Sequence, residues 1–247
     1  MDEPRSPGDL PGVAQVFVPD PEKPVPSAED RHHLVRVLRL KAGELVVAAD
    51  GRGSFSLCRF SGDSGSPGTP STQVLVPVSP LYYEEPAGAP VTVAFVPAKG
   101  ERAEWVVQKL TELGVDRIVV LASARAVVRW PPERVPGALA RLGRVARGAS
   151  SQSRRAWLPE IRGVMGIEDY AAEQVVAGGG GCVMAHPGAA PPGGALGSIA
   201  VGPEGGWDPA ELERATELVG LGRTVMRAET AALAAGYALC ARRDGFL

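Results

Sequence analysis

The run from Ile199 to Leu212, IAVGPEGGWDPAEL, constrains the fold more than any other part of the chain. A short apolar strand stops at a glycine-proline-acid-glycine-glycine turn, and the chain then restarts as a helix. Asp208 is placed to cap that helix, and Glu211 completes a capping box. Pro209 takes the first helical position, where its missing N–H costs nothing. A strand that turns through glycines into a helix presents bare backbone N–H groups and a positive dipole end to a ligand. Alone, the run also fits a plain tight connection that needs glycine for positive φ. It does not stand alone: residues 221–231, LGRTVMRAETA, form a second strand-to-helix corner with Arg227 and Glu229 at its bend.

A chain of 247 residues can bury one large core or two smaller ones, and the length leans to two domains. With 45% hydrophobic and 22% charged residues it has the composition of a soluble globular protein. No apolar run approaches the roughly 20 residues that cross a bilayer, and the opening MDEPRSPGDLPG does not read as a signal peptide. Cys58, Cys182 and Cys240 match neither a disulfide framework nor a zinc spacing, so no metal is expected and cytoplasmic residence is the default.

The net charge of −2 makes no global case for nucleic acid, but its distribution does. Residues 31–41 carry Arg31, Arg36, Arg39 and Lys41 with His32 and His33 and no acid. Residues 141–155 carry Arg141, Arg144, Arg147, Arg154 and Arg155, again with no acid, the first three on one helical face. Solvated helix faces normally mix signs, so two single-sign stretches point to contact with a polyanion.

Residues 1–80 read as β-rich, with strands at 15–18, 45–49, 54–60 and 73–78 and one helix from Ser27 to about Leu40. A Gly/Ser/Pro stretch covers 61–71. Short strands at this spacing predict a small barrel. Residues 81–90, LYYEEPAGAP, read as a linker. From 91 the pattern changes to strand (91–96), amphipathic helix (101–113, apolar at Trp105, Val106, Leu110 and Leu113) and strand (118–121). That βαβ unit implies a parallel sheet. A long helix is expected over 133–150, strands at 182–185, 198–201 and 223–226, and an apolar, buried helix over 230–242. The glycine run 178–181 lacks any phosphate-binding pattern, and no Rossmann or P-loop fingerprint occurs.

Six further runs appear in order: 33–39 (HLVRVLR), 99–115 (KG with QKLTELGV), 152–155 (QSRR), 185–187 (AHP), 202–206 (GPEGG) and 226–231 (MRAETA). Together they resemble the RsmE family, the 16S ribosomal RNA (uracil-N(3))-methyltransferases of the SPOUT superfamily, over nearly the whole chain. The resemblance implies an α/β fold: a PUA-like, RNA-binding β-barrel domain (1–80), and a SPOUT domain (91–247) with a parallel sheet and a trefoil knot. It implies methylation of N(3) of a decoding-site uridine, S-adenosylmethionine as cofactor, no metal, and action as a homodimer on 16S ribosomal RNA in the small subunit. The dimer would also bury the apolar helix.

Carried onto this chain, the cofactor loops are Ala185, His186 and Pro187; Gly202, Pro203, Glu204, Gly205 and Gly206; and Leu221, Gly222, Val225, Met226, Arg227, Ala228, Thr230 and Ala231. RNA contact falls to Arg31, Arg36, Arg39, Lys41, Arg125, Gln152, Arg154 and Arg155. Methyl transfer to the uracil nitrogen needs alignment, loss of the imide proton and stabilisation of charge on the ring oxygens. Arg155 and Arg227 are the candidates for charge stabilisation. Glu229 is the candidate to orient Arg227 or accept the proton. Two departures remove carboxylates found in the family: Ala124 and Gly148 stand where relatives carry Glu.

Overall fold

The computed structural model describes residues 3–62, 74–176, 181–194 and 196–247. Parts of three expectations therefore lie outside the described residues: the 61–71 stretch, the start of the 73–78 strand and the glycine run at 178–181. The chain divides into two compact units, Met1–Pro86 with Ser150–Leu158, and Ala87–Ala149 with Pro159–Leu247.

In the first unit, β1 (Ala14–Phe17) pairs in parallel with β2 (Leu45–Ala49). The strand β3 (Ser54–Phe60) is antiparallel to β2, to β4 (Leu75–Pro77) and to β5 (Tyr82–Tyr83). Alternate side chains fill two cores, as the two-residue strand period requires: Val16, Val46, Cys58 and Phe60 in one, Phe17, Val47 and Phe55 in the other. Each fully buried residue of this size contributes roughly 1.5–3 kcal/mol. Residues 81–90 are not wholly a linker, since β5 lies within them.

The helix α1 (Ala28–His32) starts where Ser27 Oγ accepts from Asp30 N at 3.0 Å. It runs into a π-helical turn, His33–Val37, with Leu34 buried beneath. Arg39 then takes φ +54, a left-handed conformation that a helix cannot continue through.

Residues 150–158, which sequence assigns to the second half, pack with this first unit. Gln15 Nε2 donates to Arg155 O (2.7 Å), Ala156 N to Glu84 Oε2 (2.9 Å) and Trp157 Nε1 to Glu84 O (2.9 Å). Gly53, at φ +98, passes so close beneath Trp157 that a Cβ there would lie 2.7 Å from the ring.

The second unit is built on six parallel strands in the order β11-β9-β10-β6-β7-β8. They are β6 (Thr92–Phe95), β7 (Arg117–Ala122), β8 (Glu160–Gly166), β9 (Val183–Ala185), β10 (Ser198–Val201) and β11 (Glu217–Val219). The helices are α2 (Arg102–Glu112), α3 (Val135–Gln152), α4 (Ile167–Val176), α5 (Pro209–Leu212) and α6 (Ala228–Arg243). The last residues of α3 group with the first unit. The expected parallel sheet is present.

The expected strand at 223–226 is not there. The last strand is β11, whose three residues pair with β9 at the sheet edge, and a bend at Arg223–Thr224 falls where the strand was expected. One face of α6 is buried within its own chain, while Thr230 and Tyr237 on it are exposed. Ala232, Ala235 and Leu239 join the core with Leu110 and Val115, and a Cβ at Gly236 would lie 2.6 Å from Leu110 Cδ2. Arg243 fastens its end to Asp116 at 2.7 Å.

Candidate functional site

Three neighbouring strands, β11, β9 and β10, deliver their carboxyl ends to one place. In open parallel sheets that is where ligands bind, since the loops leaving those ends diverge and leave a crevice. Here the loops enclose a cavity of about 270 Å³. Its walls are Ala185, His186 and Pro187 after β9; Gly202, Pro203, Glu204, Gly206 and Trp207 after β10; and Leu221, Gly222, Thr224, Val225, Met226, Ala228 and Ala231 after β11. Gly205, Arg227 and Thr230 lie in these segments without lining the cavity. Val201, Trp207 and Thr224 line it although no motif marked them for that part.

Hydrogen bonds lock the exits together. Trp207 Nε1 donates to Ala185 O (3.1 Å), and His186 N donates to Val219 O (2.9 Å). The capping box forms as read: Asp208 Oδ1 accepts from Ala210 N (3.2 Å), and Glu211 Oε2 accepts from Asp208 N (2.9 Å). Glu211 is buried and does more. It takes Ser123 Oγ (3.0 Å) and Ala124 N (2.9 Å), tying the end of β7 to the glycine turn. The backbone of Ala124 thus holds its place, although its side chain carries no carboxylate.

Glycine is demanded at particular points. A Cβ at Gly202 would lie 2.8 Å from the Trp207 ring, and one at Gly220 would lie 2.1 Å from Ala189 O. At Gly205 the nearest atom would be Arg125 Cβ at 3.7 Å, an ordinary contact, so the steric need sits at Gly202 rather than Gly205.

Arg227 and Glu229 come to one corner, at the N-cap and first turn of α6. Among the described residues the ion pair of Glu229 runs to Arg102 (3.6 Å) rather than to Arg227. Its Oε2 is buried with no hydrogen-bond partner among the described residues. Arg102 also reaches Glu204 Oε1 at 3.4 Å. Arg155 belongs to the first unit, so the three expected catalytic residues are split between units. Arg125 lies at the glycine turn, with Nη1 to Gly205 O at 3.4 Å and Nε to Asp208 Oδ2 at 3.5 Å.

The other expected RNA residues, Arg31, Arg36, Arg39, Lys41, Gln152, Arg154 and Arg155, all group with the first unit. Arg39 (φ +54) and Arg154 (φ +61) are the non-glycine residues with positive φ among the described residues. Such strain, of order 1–3 kcal/mol, persists where the surroundings over-determine it and clusters at functional sites. Arg154 Nη1 is buried without a partner among the described residues.

No described group of His, Cys, Asp and Glu could hold a metal. The cysteines are free and buried, and burial pushes the Cys182 thiol up to about 11, which leaves it inert as a nucleophile. No helix among the described residues is long and apolar enough to cross a membrane.

The chain matches an RNA methyltransferase domain family over residues 84–239 and an RNA methyltransferase PUA domain over residues 26–65. The ribosomal RNA small subunit methyltransferase E of Mycobacterium bovis is 34% identical over 92% of this chain and 86% of its own length. The protein of the same name from Bacillus subtilis is 29% identical, over 87% of each chain. A Legionella pneumophila structure holding the bound cofactor SAM superposes with a TM-score of 0.77 at 25% identity, over 93% of this chain and 98% of that one. The Neisseria gonorrhoeae ribosomal RNA small subunit methyltransferase E, bound to S-adenosylmethionine, shares the fold at a TM-score of 0.73 over 93% and 98% of the chains.

Proposed function

The chain belongs to the ribosomal RNA small subunit methyltransferase E family, and from that membership we propose that it methylates N(3) of a uridine in 16S ribosomal RNA, using S-adenosylmethionine. It is an RNA methyltransferase with a SPOUT-type α/β domain and a PUA domain. The observation that carries the cofactor assignment is the cavity at the carboxyl ends of β9, β10 and β11, walled by three turns that set glycines beside apolar side chains. The residues fit the group: Gly202 and Gly222 keep two walls free of side-chain bulk, and apolar Leu221, Val225 and Met226 match an adenosine.

When bound, S-adenosylmethionine supplies a methyl on a sulfonium, already a strong electrophile, so this chain's task is alignment and charge handling. The turns at 185–187, 202–206 and 221–231 hold the cofactor. Arg227, at the mouth of α6, stabilises negative charge growing on a uracil oxygen as the imide proton leaves. The unpaired buried oxygen of Glu229 makes it the better acceptor for that proton. Arg155, with Arg154, Gln152, Arg31, Arg36, Arg39 and Lys41, belongs to RNA docking, where arginines and lysines grip phosphate and set register. Arg125 supports the glycine turn as well as facing RNA.

The enzyme works in the cytoplasm, on the small ribosomal subunit, as a homodimer. Val225 and Tyr237, both exposed at the corner and on α6, give a second copy apolar surface to cover. Isothermal titration of S-adenosylmethionine into the purified protein tests the cofactor assignment. One site per chain supports it, and no heat of binding to a folded protein overturns it.

A further inference from the structure

The second unit carries another concavity that the three loops do not use. Between α2 and α3 lies an open groove of about 720 Å³, bordered by Trp105, Gln108, Arg141, Arg144 and Gly148. The sequence pattern places Trp105 on the apolar face of α2. In the fold its neighbours Val106 and Val107 are buried while Trp105 is 42% exposed, its ring bordering the groove. A large exposed aromatic beside cations is the composition of a platform for single-stranded nucleic acid, because every base has a face to stack and every nucleotide a phosphate to pair. Arg141 and Arg144 lie one turn apart on α3. Arg141 is held by Glu104, whose second carboxylate oxygen is buried without a partner among the described residues.

The groove adjoins the cofactor cavity through one side chain. Arg102 borders the groove and pairs with Glu204, which lines the cavity. We propose that the α2–α3 groove is a nucleotide subsite. It takes a nucleotide flanking the methylated one, with the base stacked on Trp105 and the phosphates met by Arg141 and Arg144. The subsite accepts any base, since stacking rather than edge-reading holds it. This rests on RNA being the substrate, as proposed above. Glu101 and Glu104 also line the groove, yet a lining with five charged residues beside an exposed Trp105 favours a nucleotide over a second protein chain, whose interface core would be depleted of charged groups.

The test uses the full chain and a single-stranded RNA fragment of the small-subunit decoding region, with affinity measured by fluorescence anisotropy. Trp105→Ala lowers affinity about tenfold, within the range for loss of one stacked base, and leaves the salt slope unchanged. Trp105→Phe keeps most of the affinity, because the face survives. Arg144→Ala lowers affinity and flattens the log–log salt slope by about 0.7. Gly148 offers an independent block: a Cβ there meets nothing within 4 Å, so Gly148→Leu narrows the groove without a packing conflict and improves helix propensity. It lowers RNA affinity in the same direction as Trp105→Ala, with S-adenosylmethionine affinity unchanged.

Unaltered RNA affinity in both Trp105→Ala and Gly148→Leu overturns the subsite. So does a loss accompanied by a change of oligomeric state in sedimentation, which would make the groove an interface between copies. Methyl transfer is scored separately. A wild type that binds RNA through Trp105 without methylating it sinks the proposed reaction and leaves the subsite standing.

Discussion

The two units handle charge and backbone in opposite ways. In the first, two arginines join the glycines at positive φ: Arg39 and Arg154 take it where glycine would be easier. In the second, every described residue with positive φ is a glycine, and glycines at 202, 206 and 222 stand among the cavity walls beside Trp207, Leu221, Val225 and Met226. On the proposed function, the first unit presents long cations to RNA and accepts strain to present them, while the second sets glycines beside apolar side chains around a small cofactor.

The contrast is broken most severely at Gly202. Replacing it with Val drives side-chain atoms into the Trp207 ring, and S-adenosylmethionine affinity should fall at least about a hundredfold, roughly 2.7 kcal/mol. Gly205→Ala, with room for its Cβ, should change that affinity by less than about threefold in the same calorimetric series. Equal losses from both would show that the turn, and not the Trp207 contact, governs the cavity. In the first unit, Arg36→Ala should weaken binding to unrelated RNA sequences alike, and filter binding over a salt series should show the slope flattened by about 0.7–0.9. A sequence-selective loss would instead make Arg36 a reader of bases.

Arg39→Gly separates the two demands on one residue. It relieves the left-handed backbone while removing the cation, so chemical denaturation should show a gain of roughly 0.5–1 kcal/mol alongside weaker RNA binding. A stability loss would mean that the Arg39 side chain is itself structural. The smallest effect concerns Glu84, whose carboxyl burial pushes above its ordinary value despite the bond from Ala156 N. The folded chain therefore holds this proton more tightly than the unfolded chain. Its contribution is most favourable at low pH and declines as pH rises through the raised value. Glu84→Gln keeps an acceptor and removes the titration. Its melting-temperature advantage over wild type should grow from about pH 4 upward and then level off. A difference that stays flat with pH would contradict the shift.

What the sequence disclosed was what is encoded locally. The capping box Asp208–Glu211 and the strands Leu45–Ala49 and Ser54–Phe60 formed as read, because cap chemistry and β-rich runs bounded by turns need no distant partner. What stayed hidden depends on tertiary contact. β11 is a three-residue edge strand whose Glu217 and Leu218 are exposed, so it is too short to stand out as an apolar run. β8 and α4 gave no sequence signal strong enough to place them. Residues 150–158 follow a helix of the second half, yet their partners, Gln15 and Glu84, lie 140 and 72 residues away in sequence, and no periodicity shows that. Within the site, two of the three loops, 202–206 and 221–231, were legible as glycine-bearing corners, and the 185–187 loop came only with the family resemblance. Trp207, Thr224 and the bridging role of Arg102 were not, since each acts through a neighbour that only the fold supplies.

The proposed division of labour is a second-unit cavity that holds S-adenosylmethionine and first-unit cations that grip the RNA. Its most direct test incubates the full chain with S-adenosylmethionine and small ribosomal subunits from a strain lacking the activity, and identifies the modified nucleoside by mass spectrometry. The account predicts N(3)-methyluridine in 16S ribosomal RNA, lost in Gly202→Val and reduced in Arg36→Ala. A ribose-methylated nucleoside, or no methylated product from a protein that binds both cofactor and RNA, would contradict it.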